Sequence, residues 1–214
     1  MPPSSPRAAS RPVDLRVIKA LLWILCLLPL LHLVWDGVGD GLGANPVEAI
    51  THRTGDWTLR LLLITLGMTP TRRLTGWTWP LRVRRLLGLF AFFYACLHFG
   101  TYLVLDQFFC WSAIVEDLAK RPYITVGFTA FVLLIPLAVT STRGMMRRLG
   151  RHWQRLHRLV YLVTTLGVLH YLWLVKADYR EPIIYLLCLL VLLGVRVWFR
   201  RQRASHLAPL VRSA

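Results

Sequence analysis

Six apolar runs, each bounded by turn-forming or basic residues, constrain this chain more than any other feature. They cover roughly 17–35, 57–70, 86–106, 122–140, 156–175 and 181–199. A hydrocarbon core about 30 Å thick takes about 20 helical residues to cross, and inside it only helices or closed barrels satisfy every backbone polar group. The second run, at about 14 residues, falls short of that length. Breakers separate the runs: DGVGDGLGANP after the first, TPTRRLTGWTWP after the second, and Glu181-Pro182 before the sixth. The expectation is an all-α polytopic membrane helix bundle of about six transmembrane helices. It occupies 16–203 as one domain, between disordered tails at 1–15 and 204–214. No internal repeat and no aqueous domain is legible.

Charge follows the same rhythm. The chain carries a net charge of +16, which in a soluble protein would suggest nucleic acid. Here the basic residues cluster between apolar runs of a chain with mean hydropathy +0.51. They therefore read as orientation and lipid-headgroup signals, and nucleic-acid binding is not expected. The N-terminal segment, 71–85, 141–158 and the C-terminal end hold 20 of the 26 Lys/Arg. That places both termini in the cytoplasm. The first run follows Arg7, Arg11, Arg16 and Lys19 like a signal sequence, but it is long enough to span and no small-x-small site follows it. It is read as a retained helix. Cys26, Cys96 and Cys188 fall within apolar runs and Cys110 in a loop, none with CxxC or CxxCH spacing. Any haem would be held by coordination rather than by thioether bonds.

Three histidines fall in or at the edge of the runs: His98, His157 and His170. An intramembrane imidazole is costly and marks a functional site by default, and imidazole is a common axial ligand of haem iron. Counting 1.5 Å per residue from the inner ends of their runs, His98 lies about 18 Å deep and His170 about 21 Å deep. Two imidazoles at one height can bracket one iron. His157 lies about 20 Å along the helix from His170, too far to share that iron. It could ligate a second haem, contact a propionate or a quinone, or cap polar headgroups. A matching histidine would be needed near position 85, which is Arg85, so one haem is favoured over two. His32, deep in the first run, is a rival ligand, while His52, His152 and His206 read as surface or tail groups. Gly88, Gly100 and Gly167 could admit a macrocycle or another helix to the backbone.

The stretches GLGANPVEAITHRTG (41–55), RVRRLLGL (82–89), RPYITVG (121–127), TSTRGMMRRLGRHWQRLHRLVYL (140–162) and LHYLW (169–173) resemble the MsrQ (YedZ) family. These are haem-binding membrane subunits of bacterial methionine sulfoxide reductase systems, within the ferric-reductase-like transmembrane domains. The resemblance covers roughly 30–200. It implies haem b, with His98, His157 and His170 matching the family's histidines, and an association with FMN. It also implies electron transfer across the bacterial inner membrane to a periplasmic molybdopterin enzyme of the MsrP type. Quinol is the implied donor, with reduced flavin a second route. Arg147, Arg148 and Arg151 are guesses for an FMN phosphate.

What the chain lacks agrees with that resemblance. No G-x-G-x-x-G fingerprint or molybdenum-binding domain is present, so donor and terminal chemistry belong to other molecules. Acidic residues of the outer loops, such as Asp36, Asp40, Glu116 and Asp117, could orient a docking reductase. The alternatives are a ferric or cupric reductase needing no protein partner, a non-haem transporter or proton channel, and a membrane anchor.

Overall fold

Asp14 begins the first helix, its Oδ1 accepting the Arg16 N–H at 2.9 Å; an N-cap of this kind satisfies one of the donors that a helix start leaves free. The computed structural model describes residues 14–212, with side chains through Gln202. The expected tail at 1–15 lies almost wholly outside the described residues. Helix α1 (Leu15–Val38) buries just Cys26 and Leu33 among its residues. Trp23, Leu25, Leu31 and Val34 are more than half exposed, which suits contact with lipid tails.

Helix α2 (Pro46–Thr75) is the centre of the bundle, with Leu59, Leu61, Leu62, Leu63 and Leu66 in the core. It is far longer than the 57–70 run. Asn45 caps it by accepting the Glu48 N–H at 3.2 Å and donating to the Glu48 carboxylate at 3.0 Å. This reciprocal pair starts the helix eleven residues before the apolar run does. At the other end, Pro70 lies within the helix, which closes at Gly76 with φ 75°, a left-handed cap that glycine adopts without strain. The loop expected over 71–85 is therefore reduced to Gly76–Thr78.

Helix α3 (Trp79–Thr101) runs antiparallel to α2 and ends in a π-helical turn, Tyr102–Asp106. The Tyr94 hydroxyl donates to the Cys26 carbonyl at 2.7 Å and ties α3 to α1. A short helix α4 (Trp111–Lys120) leads into α5 (Pro122–Val139). The segment 141–155, expected as a loop, instead forms helices α6 (Arg143–Leu149) and α7 (Arg151–Leu156). Gly150, at φ 49°, separates them. Helix α8 (Leu159–Leu174) packs along α5, and α9 (Arg180–Arg212) closes the bundle against α2 and α8. No side chain of the expected 204–214 tail is among those described.

The protein is a polytopic helical membrane protein. Among the described residues, four helices are long and apolar enough to cross a bilayer: α1, α3 with its π turn, α5, and α9 as far as Gln202. Helix α8 has 16 residues, and the 30 residues of α2 include several arginines and threonines. Both pack against other helices of the bundle, and their Thr54, Thr65 and Thr164 are buried there.

Candidate cofactor site

Two antiparallel helix pairs, α2/α3 and α5/α8, present one histidine each. The His98 Nδ1 on α3 lies 2.9 Å from the Thr51 carbonyl of α2. The His170 Nδ1 on α8 lies 2.7 Å from the Tyr123 carbonyl of α5. A carbonyl can only accept, so each Nδ1 carries the proton, and Nε2 keeps its lone pair free for a metal. Metal-binding histidines commonly have their second nitrogen fixed in this way.

One helical turn beyond each carbonyl stands a glycine. A Cβ on Gly55 would lie 3.1 Å from the His98 ring, and one on Gly127 would lie 2.7 Å from the His170 Nδ1. A side chain at Gly127 would force the His170 imidazole to shift, and one at Gly55 would require the His98 ring to give by a few tenths of an ångström. The two sets are related by a constant offset of 72: Thr51, Gly55 and His98 become Tyr123, Gly127 and His170. A two-helix unit is thus repeated around the site, although no repeat is legible in the sequence. The same offset carries His157 back onto Arg85.

The two imidazoles face a common cavity of about 280 Å³. Their ring centroids are 6.2 Å apart with an interplanar angle of 77°. Two metal–imidazole bonds of about 2 Å, plus about 1.1 Å from each ring nitrogen to its centroid, give about 6 Å between ligands on opposite sides of one metal. The wall is aromatic: Phe99 stacks on Phe131 at 4.8 Å, with Phe128 beside them, and Phe92 backs Phe131 from outside the lining at 6.2 Å. Asp106 and Arg121 stand at its polar rim. Two neutral imidazoles at trans-ligand spacing, glycine-cleared backbone and an apolar wall fit a haem bound by both histidines. Among the described residues, no group of three or more His, Cys, Asp or Glu is placed to hold a bare metal ion.

His157 belongs to the opposite end of the bundle. Its ring stacks on Trp153 at 4.0 Å, and its Nε2 lies 3.1 Å from the Thr140 hydroxyl. That hydroxyl donates its proton to the Pro136 carbonyl at 2.6 Å, so it accepts from the His157 Nε2–H. The Trp153 indole N–H donates to the Thr140 carbonyl at 3.0 Å and braces the same corner. Nδ1 is therefore the free nitrogen of His157, the opposite of the other two. His32, the rival ligand, is 71% exposed and lies 3.3 Å from Asp36, which also bonds Arg53. It does not reach the cavity lining.

Sequence reasoning missed Gly55 and Gly127. The legible signal was a glycine four residues after a position that faces a histidine, which cannot be recognised before the pairing is known. Of the glycines singled out instead, Gly167 is in close contact, its Cβ position 2.9 Å from Leu59, while Gly100 meets nothing within 4 Å.

The family model described as "Ferric reductase like transmembrane component" matches residues 54–168. A protein-methionine-sulfoxide reductase heme-binding subunit MsrQ from Herminiimonas arsenicoxydans is 55% identical over 197 residues, covering 91% of this chain and 90% of its own. The chain belongs to the MsrQ family. A second MsrQ relative, from Rhodospirillum rubrum, is 56% identical over 199 residues, covering 91% of this chain and 94% of its own. A third, from Xanthomonas euvesicatoria, is 57% identical over 180 residues and 82% of this chain. The matched MsrQ region therefore includes both helix pairs that build the cavity.

Proposed function

We propose that this member of the MsrQ family is a transmembrane electron conduit of the bacterial inner membrane, carrying haem b between His98 and His170. The observation that carries the reading is the 6.2 Å separation of the two rings, each with its Nδ1 committed to a backbone carbonyl. When bound, the haem supplies one-electron redox chemistry whose potential follows its axial ligands and surroundings. The protein's part is to fix two neutral imidazoles, to exclude water with the Phe99–Phe131 stack, and to keep the bundle closed around both. The functional unit is 16–203.

The donor is the quinone pool, with reduced flavin as the second route. The acceptor is a periplasmic molybdopterin-dependent methionine sulfoxide reductase of the MsrP type, so catalysis of sulfoxide reduction lies in the partner. Support comes from the relatives, which are named as subunits of a protein-methionine-sulfoxide reductase. Exposed acidic residues such as Asp40 and, on α4, Glu116 orient the docking, whereas Asp117 is buried and bonded to Tyr102, Gln107 and Arg121. FMN is implied by the family resemblance. His157 serves the inner end, either toward a second haem or toward the donor. The family model's description as ferric-reductase-like favours one second reading, reduction of soluble ferric or cupric ions without a protein partner.

The test is a reduced-minus-oxidised visible spectrum of the purified protein with pyridine haemochrome quantitation. A b-type α-band with about one haem per chain supports the His98–His170 site, and about two makes His157 a ligand. Folded protein without haem, made with ample haem supply, overturns the conduit. Reduction of ferric chelates without the partner, and no electron transfer to it, would select the metal reductase.

A further inference from the structure

Two consecutive aromatic residues, Phe108 and Phe109, hold left-handed backbone, at φ 47° and 58°. Bulky L side chains rarely adopt it, and such strain persists only where the surroundings fix it. Here they do. The Gln107 N–H donates to the Tyr102 carbonyl at 2.9 Å, the Phe109 N–H to the Leu103 carbonyl at 3.0 Å, and the Cys110 N–H to the Gln107 carbonyl at 2.8 Å. The buried Asp117 of α4 accepts from the Tyr102 hydroxyl at 3.1 Å and from the Gln107 side-chain amide at 3.0 Å, and pairs with the Arg121 Nε at 3.2 Å. The turn is thereby stapled to α4 and to the start of α5. Its two rings are left outside: Phe108 is 78% exposed and Phe109 51%.

Helix α4 then shows three faces, since residues four apart on a helix lie one above another. Ile114, Asp117 and Leu118 turn inward, and Ile114 and Leu118 line the end of the cavity. Trp111, Val115 and Ala119 form an exposed apolar stripe. Ser112, Glu116 and Lys120, each one residue on, form an exposed polar stripe beside it, with Lys120 paired to Glu116. Water does not favour the first stripe and lipid does not favour the second; a boundary between the two suits both.

The membrane supplies that boundary. Helix α4 joins the end of one spanning helix, Trp79–Asp106, to the start of another, Pro122–Val139. Val104 and Leu105, in the last turn of the first, are exposed as well. Of the two polar residues that follow, Asp106 lies on the cavity lining and Gln107 is tied to Asp117. The Phe108 and Phe109 rings thus carry on the lipid-contact surface of α3.

We propose that α4 and the turn before it form an interfacial element, with Phe108, Phe109, Trp111 and Val115 seated among the headgroups and upper chains of the phospholipid leaflet nearest His98 and His170. Aromatic rings are favoured at that depth. The roof of the cavity is thereby held by lipid on one side and by the bundle on the other. The polar stripe stays on the water side. So does Cys110, whose Sγ lies 3.3 Å from the Ser112 hydroxyl. The inference is independent of the haem reading, because it rests on an exposed surface and not on the histidines.

The experiment places a nitroxide label at Val115→Cys or at Glu116→Cys, in full-length protein carrying Cys110→Ser and Cys188→Ser, reconstituted in phosphatidylcholine vesicles. Collision of each label with oxygen, which concentrates in lipid, is compared with collision with a water-soluble nickel chelate. The oxygen-to-nickel ratio should be at least about threefold higher at 115 than at 116, although the two are adjacent in the chain. Equal ratios overturn the proposal. So does a water-accessible label at 115 that an added periplasmic reductase then shields, which would make the stripe a protein-docking face. Should the labelled chains fail to fold, the wild type is photolabelled in the same vesicles with a carbene-generating phosphatidylcholine. Adducts on 108–115 together with those on lipid-facing α1 support the proposal, and adducts on α1 with none on 108–115 overturn it.

Discussion

The His98 and His170 rings stand 6.2 Å apart, centroid to centroid, on helices from two different hairpins. Each is aimed by a carbonyl 47 residues earlier in the chain, and each passes a glycine to reach it. The site is the meeting point of two copies of one local device.

On the proposed reading His98 and His170 would hold the haem, so replacing either should weaken its binding. Loss of an outer-shell partner alone costs about 10–100-fold in metal affinity, so His98→Ala or His170→Ala should lower bound haem at least that much. His157→Ala, at the far end of the bundle, should leave at least part of the haem. Haem per chain from the pyridine haemochrome decides; complete loss in His157→Ala at normal protein levels would reverse the ligand assignment.

The two glycines should differ in their tolerance. A methyl at Gly127 would sit 2.7 Å from the His170 Nδ1, whereas at Gly55 the nearest ring atoms are 3.1 Å away. Overpacking of this size costs about 1–3 kcal/mol, and here its cheapest relief is displacement of the imidazole. Gly127→Ala should therefore perturb the haem spectrum and lower the melting temperature, with Gly55→Ala milder on both. A Gly127→Ala protein with the native α-band and native melting temperature would contradict this account.

Tyr94 couples the lipid-facing helix α1 to the core. It is 1% exposed, and its hydroxyl donates to the Cys26 carbonyl at 2.7 Å. Tyr94→Phe keeps the ring contact with Trp57 and deletes the hydrogen bond, so it should cost about 1 kcal/mol. Thermal unfolding in detergent measures this, and haem content should stay unchanged because α1 does not line the cavity.

Cys110 reports on orientation. It is exposed in the segment between the π turn and α4. Hydrogen bonding from the Ser112 hydroxyl, and from the Ala113 N–H, holds its thiol below the ordinary value. A lowered pKa places more thiolate at neutral pH, and thiolate is the reactive form. A membrane-impermeant maleimide should therefore label Cys110 in intact cells, while buried Cys26 stays unlabelled. Ser112→Ala should move the midpoint of the labelling rate to higher pH. Labelling confined to inverted vesicles would reverse the orientation.

Hydrophobicity and charge, read along the chain, determined that this is a membrane helix bundle, because the bilayer leaves few ways to satisfy a backbone. Depth arithmetic also brought His98 and His170 to one height, since helical rise is constant. What it could not supply was the lateral partner of each element. The Asn45–Glu48 cap that lengthens α2 is local and lies outside the apolar run, whereas the cradling of the rings by Gly55 and Gly127 depends on contacts between residues dozens of positions apart. The same is true of Arg196, which reads as one more basic residue near the C-terminal end. Tertiary packing alone carries its guanidinium to the Leu66 carbonyl of α2 and over the Tyr161 ring of α8.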